Sequence, residues 1–271
     1  MLPYWDEVVR PFIEALDEGP IVEIGCASGD TTEKLAELAV GLDMVLHAID
    51  PDPQFDLAEF DVRFGRHFQF HRERSHDALE RIEPAAAVLI DGDHNWYTVH
   101  GELTRLERIA ASAGCHFPLV MLHDVEWPYA RRDMYYEPDA IPEEWRKPWA
   151  QRGIKWGQGP LDEDGGGVNS RFANALEEGG PRNGVLTAVE DFVAQSELSL
   201  EMRTVNGEAG LGLLISAGLL AASPAVRRQW ERLHSPEFLL DQAASLARTA
   251  ARETAARIEA VRRSAPSSGG G

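Results

Sequence analysis

The sequence predicts an α/β fold built on a mostly parallel sheet that ends in an antiparallel hairpin. Apolar runs typical of strands alternate with amphipathic helical runs over most of the first 125 residues. The run AAAVLID at 85–91 is nearly continuously apolar, as expected of a strand buried on both faces. The turn NGEAG joins two further strand-like runs, and an Asn-Gly turn at this position is a hairpin signal. Together these patterns predict a parallel sheet covered by helices on both faces.

Composition limits the classes of protein to consider. The chain has 271 residues and 44% hydrophobic residues, enough for one large folded domain with attachments. Asp and Glu number 45 against 26 Lys and Arg, and the net charge of −19 disfavours nucleic acid as a partner. Two cysteines without CxxC spacing indicate neither a disulfide framework nor a thiolate zinc site, which suits the cytoplasm. We also expect no signal peptide and no membrane span, since the longest apolar run, near 211–222, is too short.

The elements follow in a regular order. An amphipathic helix over 4–17 leads into the first strand, IVEIG. Predicted strands cover 21–25, 44–50, 68–74, 85–93, 117–125, 200–205 and 211–217, and the helices between them cover 31–40, 98–111 and 184–195. The strand at 68–74 is the weakest of these, because its apolar alternation is interrupted by charged residues.

Two regions depart from this alternation. Residues 126–182 contain four tryptophans, many prolines and the run DEDGGG, and we interpret them as an ordered insertion that forms a lid over the cleft of a domain spanning 1–222. Residues 223–263 form a helical extension with alanine-rich, roughly heptad spacing. That helix either packs on its own domain or serves as a coiled coil, through which the chain forms a homo-oligomer or joins another module. The tail, 264–271, is expected to be a flexible linker.

The stretch VEIGCASGDTT, from Val22, is either a tight structural turn or a cofactor-binding loop. Glu23 lies within the strand, where a carboxylate needs a partner. Gly25 and Gly29 bracket the turn, so the backbone can approach a ligand closely. Asp50 ends the second strand, where a carboxylate can accept hydrogen bonds from ribose hydroxyls. The spacing does not match the dinucleotide fingerprint GxGxxG, and no P-loop lysine follows, so a cofactor with a ribose but no phosphate fits better, such as S-adenosylmethionine.

Five stretches resemble the class I S-adenosylmethionine-dependent methyltransferases, and most closely their metal-dependent O-methyltransferases of sugars and natural products. The stretches are VEIGCASGDTT, HAID, VLIDGDHNWYTVHGEL, VMLHDV and NGVLTAVEDF, which occur in the family's order over roughly 20–217. The resemblance implies a Rossmann-like sheet of seven strands with a reversed last strand. It also implies a cofactor site formed by Glu23, Gly25, Ala27, Ser28, Gly29, Asp50, Ser75, His76 and Asp91.

The motifs DGDH at 91–94 and HD at 123–124 end two strands that we expect to be neighbours. Asp91 and Asp124 would then face one cavity, where two carboxylates require a cation or a proton between them. A hard divalent ion such as Mg²⁺ could bind there and hold an acceptor hydroxyl. The resemblance makes His94 the general base. His123 replaces the glutamate of some relatives, so its part in the ligand set is open, and both aspartates could instead have structural roles alone.

A substrate wall is predicted from the stretch WPYARRDMYY. Arg131 and Arg132 could donate to the hydroxyl groups of a substrate ring that stacks on the aromatic residues around them, Trp127, Tyr129, Tyr135 and Tyr136. A packed loop explains the stretch nearly as well. The leading hypothesis is a methyltransferase that acts on a hydroxyl of a small molecule, such as a sugar or a glycosylated natural product. The alternatives are a hydroxylase-like or nicotinamide enzyme on a related sheet, and a methyltransferase-like binding or assembly module without catalysis.

Overall fold

The computed structural model describes residues 1–264, which fall into two compact units. The first unit comprises Met1–Arg227, and the second begins at Arg228. No helix within residues 1–264 is both long enough and apolar enough to cross a bilayer.

The first unit is built on a seven-stranded sheet with the order β3-β2-β1-β4-β5-β10-β9. Its strands are β1 (Ile21–Ile24), β2 (Leu46–Ile49), β3 (Phe68–His71), β4 (Ala87–Ile90), β5 (Leu119–His123), β9 (Leu200–Val205) and β10 (Leu211–Ser216). Strands β1 to β5 are parallel, and β10 is antiparallel to both β5 and β9. This is the Rossmann-like sheet with a reversed strand that the resemblance implies, and the predicted fold class is confirmed.

The helices of the first unit connect the strands and cover the sheet. They are α1 (Arg10–Ile13), α2 (Asp30–Leu42), α3 (Leu57–Phe64), α4 (Ser75–Ala78), α5 (Trp96–Ala113), α6 (Val185–Gln195) and α7 (Ala217–Ala222). A 3-10 turn (Leu2–Tyr4) and a π-helical turn (Trp5–Val9) precede α1. The helix expected over 4–17 is therefore shorter than predicted, because Gly19 and Pro20 turn the chain into β1.

The main hydrophobic core lies between the sheet and helices α5 and α6. Alternate residues of the central strands point into it, among them Val22, Val88 and Val120. The intervening residues, such as Ile21, Leu89 and Met121, are also fully buried. Burial of both alternating sets shows that the parallel strands are covered on both faces.

The insertion at 126–182 forms a three-stranded antiparallel sheet with the order β6-β8-β7. Its strands are β6 (Met134–Tyr135), β7 (Trp149–Ala150) and β8 (Ala173–Ala175), and it contains a small core around Tyr129, Met134, Ile154 and Leu161. These residues thus form short strands around a small core, and the role of the insertion as a lid stays a prediction.

Two helices complete the described chain, α8 (Pro224–Arg232) and α9 (Pro236–Ser264). The predicted helical character after Pro224 is confirmed. The predicted flexible tail lies outside the described residues, apart from Ser264, which ends α9.

Candidate functional site at the carboxyl edge of the sheet

The glycine turn after β1 brings two strand ends into close contact. Gly25 has a φ of +86°, and a Cβ at this position would lie 2.3 Å from the carbonyl oxygen of Asp91 and 2.5 Å from the Cα of Gly92. A side chain cannot fit there, so the glycine is required by the packing of β1 against the end of β4. Gly29, with a φ of +83°, starts α2 beside the ring of Phe55. The turn thereby places the predicted cofactor loop directly beside the DGDH motif.

Glu23 lies beneath this turn and is almost completely buried. Burial, with a smaller contribution from the neighbouring charge of Asp91, raises the pKa of its carboxyl group to about 8. Its Oε2 atom has no hydrogen-bond partner among residues 1–264. A buried acceptor without a donor is costly, so an ammonium group or another donor bound at this edge would stabilise it.

Asp50, at the end of β2, is held by backbone amides. Its Oδ2 accepts hydrogen bonds from the N–H groups of Cys26 at 2.8 Å and Ala27 at 3.1 Å, and its Oδ1 accepts from the N–H of Asp52 at 2.8 Å. The side chain therefore fixes the conformation of the loop that includes Ala27 and Ser28. A carboxylate has about four acceptor positions, so a ribose hydroxyl could share it with these amides.

Ser75 and His76 contact helix α5. The hydroxyl of Ser75 donates to the buried carboxyl of Glu102 at 2.5 Å, and Nε2 of His76 lies 2.9 Å from the carbonyl oxygen of Thr98. Both side chains connect α4 to α5, and their predicted position beside an adenine ring stays a prediction.

Asp91, His123 and Asp124 form one cluster at the ends of β4 and β5. Nδ1 of His123 lies 2.8 Å from Oδ2 of Asp124 and 3.3 Å from Oδ1 of Asp91. The three potential ligand atoms all lie within 4.8 Å of one another. The amino group of Met1 also lies 3.3 Å from Oδ2 of Asp91. The expectation that the two aspartates face each other across neighbouring strands agrees with this geometry.

The electrostatics of this cluster are those of two carboxylates around one cation. Burial lowers the pKa of His123, but its hydrogen bonds to Asp124 and Asp91 outweigh burial and raise that pKa to about 9. Burial opposes ionisation of Asp91, yet the hydrogen bond and charge of His123 hold the pKa of that carboxyl below its usual value. Without a metal, the imidazolium of His123 neutralises part of the carboxylate charge.

Asp124 has an unusual backbone conformation. Its φ of +62° is left-handed, a region that costs energy for a residue with a Cβ, although aspartate tolerates it better than most. The residue is 6% exposed, and its carboxylate contacts His123 at the end of β5 and His94 in the loop after β4. Strain at a buried carboxylate within a charged cluster is typical of a position held for function.

His94 is oriented by Asp124. Its Nδ1 lies 3.2 Å from Oδ2 of Asp124, and its ring stacks on Tyr129 with centroids 5.3 Å apart and an interplanar angle of 14°. A neutral imidazole that donates from Nδ1 leaves Nε2 as the proton acceptor. Asp124 and His94 thus have the arrangement required of an oriented general base.

The donor set of the cluster fits a divalent metal. Asp91 and Asp124 offer carboxylate oxygens, which suit Mg²⁺ or Mn²⁺, and deprotonated His123 would add a nitrogen that suits a softer ion. The environment of Glu23 likewise fits a cofactor with an amino group, because its unpartnered oxygen lies beside the turn. The residues that fit a metal and those that fit a cofactor with an amino group therefore lie at the same edge of the sheet.

The predicted substrate wall is mostly taken up by internal contacts. Arg132 is fully buried and donates to the carbonyl oxygens of Gly159 and Ala175. The hydroxyl of Tyr135, also buried, donates to Asp133 at 2.8 Å. This placement does not favour a contact between either side chain and a substrate.

Two further residues of that wall, Arg131 and Trp127, are only partly buried. Arg131 forms a bidentate ion pair with Glu190, at 2.5 and 2.7 Å. The ring of Trp127 lies against that of Trp156, with centroids 5.1 Å apart. Their substrate contacts stay a prediction.

Tyr129 and Tyr136, which the predicted substrate wall also includes, both lie beside His94. Sequence reasoning missed Asp133: it accepts hydrogen bonds from the N–H groups of Trp96 and Gly184 at 2.8 and 2.6 Å, and so connects the insertion to α5 and α6.

No protein-family model matches the sequence, and no curated protein matches it significantly. Among solved structures, similar chains include the methyltransferase PaMTH1 of Podospora anserina bound to S-adenosylhomocysteine, at 14% identity and a TM-score of 0.45 over 76% of each chain. A candidate caffeoyl-CoA O-methyltransferase of Staphylococcus aureus has 12% identity and a TM-score of 0.44, over 77% of this chain and 80% of that one. The 1,6-didemethyltoxoflavin-N1-methyltransferase of Burkholderia thailandensis has 14% identity and a TM-score of 0.41 over 78% of each. Values this low assign no activity to the chain.

Proposed function

We propose that this protein is an S-adenosylmethionine-dependent methyltransferase that transfers a methyl group to a hydroxyl of a small molecule, with a divalent metal at the acceptor end of the site. One observation carries the proposal: Nδ1 of His94 lies 3.2 Å from Asp124, within a cluster that also contains Asp91 and His123. This cluster lies at the carboxyl edge of a doubly wound sheet, where such folds bind their ligands.

Glu23, Asp50 and the loop 26–29 would hold the cofactor. S-adenosylmethionine, when bound, supplies a methyl group on a sulfonium centre, which makes that carbon electrophilic. Glu23 would pair with the ammonium group, because its Oε2 is a buried acceptor without a partner. Asp50 would bind the ribose while it also accepts hydrogen bonds from the N–H groups of Cys26 and Ala27.

Asp91 and Asp124, with or without His123, would hold the metal. A divalent ion, when bound there, supplies a positive charge that lowers the pKa of a coordinated hydroxyl. Asp124 also keeps the ring of His94 oriented, so one carboxylate serves both the metal and the base.

His94 takes the proton. A hydroxyl is a weak nucleophile until its proton is leaving, and an imidazole that accepts at Nε2 near neutral pH removes that proton at the site of attack. The carboxylate of Asp124, 3.2 Å from Nδ1, stabilises the imidazolium that results. Tyr129, stacked on the ring, and the buried surroundings restrict its rotation.

Calorimetry with S-adenosylmethionine and with NAD is the first test. Binding of S-adenosylmethionine alone is expected, binding of NAD alone would favour a nicotinamide enzyme, and binding of neither would favour an assembly module. Mass spectrometry on a panel of sugar and phenolic acceptors, with Mg²⁺ or with excess EDTA, then tests the reaction. The expected result is a gain of one CH₂ in mass that EDTA abolishes. Full activity of metal-free protein in EDTA would remove the metal from the proposal and leave His94 as the base.

A further inference from the structure

We infer that Tyr136 is an acceptor-binding residue, an aromatic wall that holds a ring-containing acceptor against His94. This inference rests on the proposed function and deepens it, since it concerns the same site.

The backbone around Tyr136 is bonded to the reacting motif. The N–H of Met134 donates to the carbonyl oxygen of His94 at 3.0 Å, and the N–H of Trp96 donates to Asp133 at 2.8 Å. Residues 133–136 therefore lie in a fixed position relative to the loop 93–96, and the side chain of Tyr136 is carried on a rigid support.

The side chain of Tyr136 differs from those of its neighbours. Met134 and Tyr135 are each 1% exposed, whereas Tyr136 is 56% exposed. The hydroxyls of Tyr129 and Tyr135 bond Asn174 and Asp133, but that of Tyr136 has no hydrogen-bond partner among residues 1–264. A large aromatic ring left half in solvent on a rigid support is available to contact a ligand.

The ring of Tyr136 faces the reacting group. Its centroid lies 6.0 Å from that of His94 and 5.4 Å from that of Phe172, which it meets edge-on at 82°. An acceptor whose hydroxyl lies at Nε2 of His94 would therefore have Tyr136 beside its ring. The rings of Tyr136 and Phe172 form a corner that could accommodate one face of the acceptor, whether its ring is flat or chair-shaped.

The chemistry of the phenol points to a hydrogen-bond donor. Partial burial of the side chain and the negative charges of Asp91, Asp93, Asp124 and Asp50 raise the pKa of Tyr136 to about 12. The phenol is therefore protonated at neutral pH, so it does not compete with His94 as a base. It can donate to an oxygen of the acceptor while the ring packs against its carbon face.

The test compares Tyr136→Ala and Tyr136→Phe with the wild type, using catechol and methyl α-D-glucopyranoside as acceptor probes with S-adenosylmethionine and Mg²⁺. For the probe that the wild type methylates faster, Tyr136→Ala is expected to raise KM about tenfold while kcat changes less, because an aromatic contact is lost and the base is kept. Tyr136→Phe, which loses only the donor, is expected to be intermediate. Affinity for S-adenosylmethionine should be unchanged in both variants.

Trp149→Ala is the matched control, since Trp149 is an exposed aromatic residue on β7, at the opposite edge of the same small sheet. It should leave KM unchanged. A second readout uses protein labelled with 3-fluorotyrosine, which carries five resonances. The resonance of Tyr136 is identified as the one that is absent from Tyr136→Phe. With S-adenosylhomocysteine bound, addition of the unmethylated acceptor probe should shift this resonance.

Unchanged KM in Tyr136→Ala, or an equal rise in Trp149→Ala, would overturn this inference and leave the proposed function intact. A wild type that binds no S-adenosylmethionine or methylates neither probe would instead count against the proposed function, and the inference would fall with it.

Discussion

Asp50 and Asp124 both end strands of the same parallel sheet, yet their environments differ. Asp50 accepts three backbone N–H groups and holds the glycine turn in place. Asp124 is more deeply buried, has a left-handed backbone, and lies within 3.2 Å of two imidazoles. A carboxylate that amides neutralise can be purely structural, whereas one grouped with Asp91 needs a cation. Equivalent strand-end acids of one sheet thus differ in their partners: Asp50 holds a backbone turn, and Asp124 belongs to a cluster of charged side chains.

The largest effect expected from this comparison is that of Asp124→Asn. The variant loses the negative charge that would hold the metal and that lies 3.2 Å from Nδ1 of His94, so turnover should fall by at least the roughly 10²–10⁴-fold typical of a lost general base. Bound metal, measured by elemental analysis, should fall as well, while affinity for S-adenosylmethionine by calorimetry should persist. Asp61→Asn, at an exposed aspartate of α3, is the control. If Asp124→Asn turned over substrate as fast as the wild type, Asp124 would have a structural role like that of Asp50.

His94→Ala should slow turnover by about 10²–10⁴-fold while metal and S-adenosylmethionine still bind. The measurement is single-turnover kinetics together with calorimetry. His123→Ala provides the comparison: if His123 only supports Asp124, its loss should be milder than that of Asp124→Asn. An unaltered single-turnover rate in His94→Ala would exclude His94 as the base.

Asp50→Asn tests whether the structural carboxylate also binds the cofactor. Loss of the charged acceptor should weaken binding of S-adenosylhomocysteine by about 1–3 kcal/mol. Because the change also loosens the turn, the sharper readout is the penalty for a deoxyribose analogue of the ligand. The wild type should discriminate against the analogue and the variant should not. Equal discrimination by both proteins would confine Asp50 to its role in the turn.

The smallest expected effect concerns Glu102, a buried carboxyl that belongs neither to the turn held by Asp50 nor to the cluster around Asp124. Burial raises its pKa from 4.5 to about 8, against the hydrogen bond from Ser75, and the charge of Asp93 adds to the rise. Between those pH values the folded state holds a proton that the unfolded state releases, so this group's contribution to stability is present below pH 4.5 and is lost as pH rises towards 8. The slope is at most about 1.4 kcal/mol per pH unit.

Glu102→Gln should remove that slope. Urea unfolding across this pH range should show the variant gaining stability relative to the wild type as pH rises, with exposed Glu18→Gln as the control. A constant difference between variant and wild type at every pH would mean that Glu102 is ionised in the folded protein.

The sequence by itself determined the fold class and the edge at which the candidate site forms. Strand-like and helical periodicities follow from local side-chain patterns, and the carboxyl ends of parallel strands necessarily meet at one edge. The proximity of Asp91 to Asp124 could therefore be predicted from their places in two motifs.

Only the tertiary structure decided which partner each polar side chain takes. The hydrogen bonds from Cys26 and Ala27 to Asp50, the ion pair of His94 with Asp124, and the burial of Arg132 all join residues that are distant in sequence. These pairings depend on how the loops pack, to within about an ångström. No periodicity in the sequence specifies that packing. The same packing turned Tyr135 into the core of the insertion and left Tyr136 exposed beside His94.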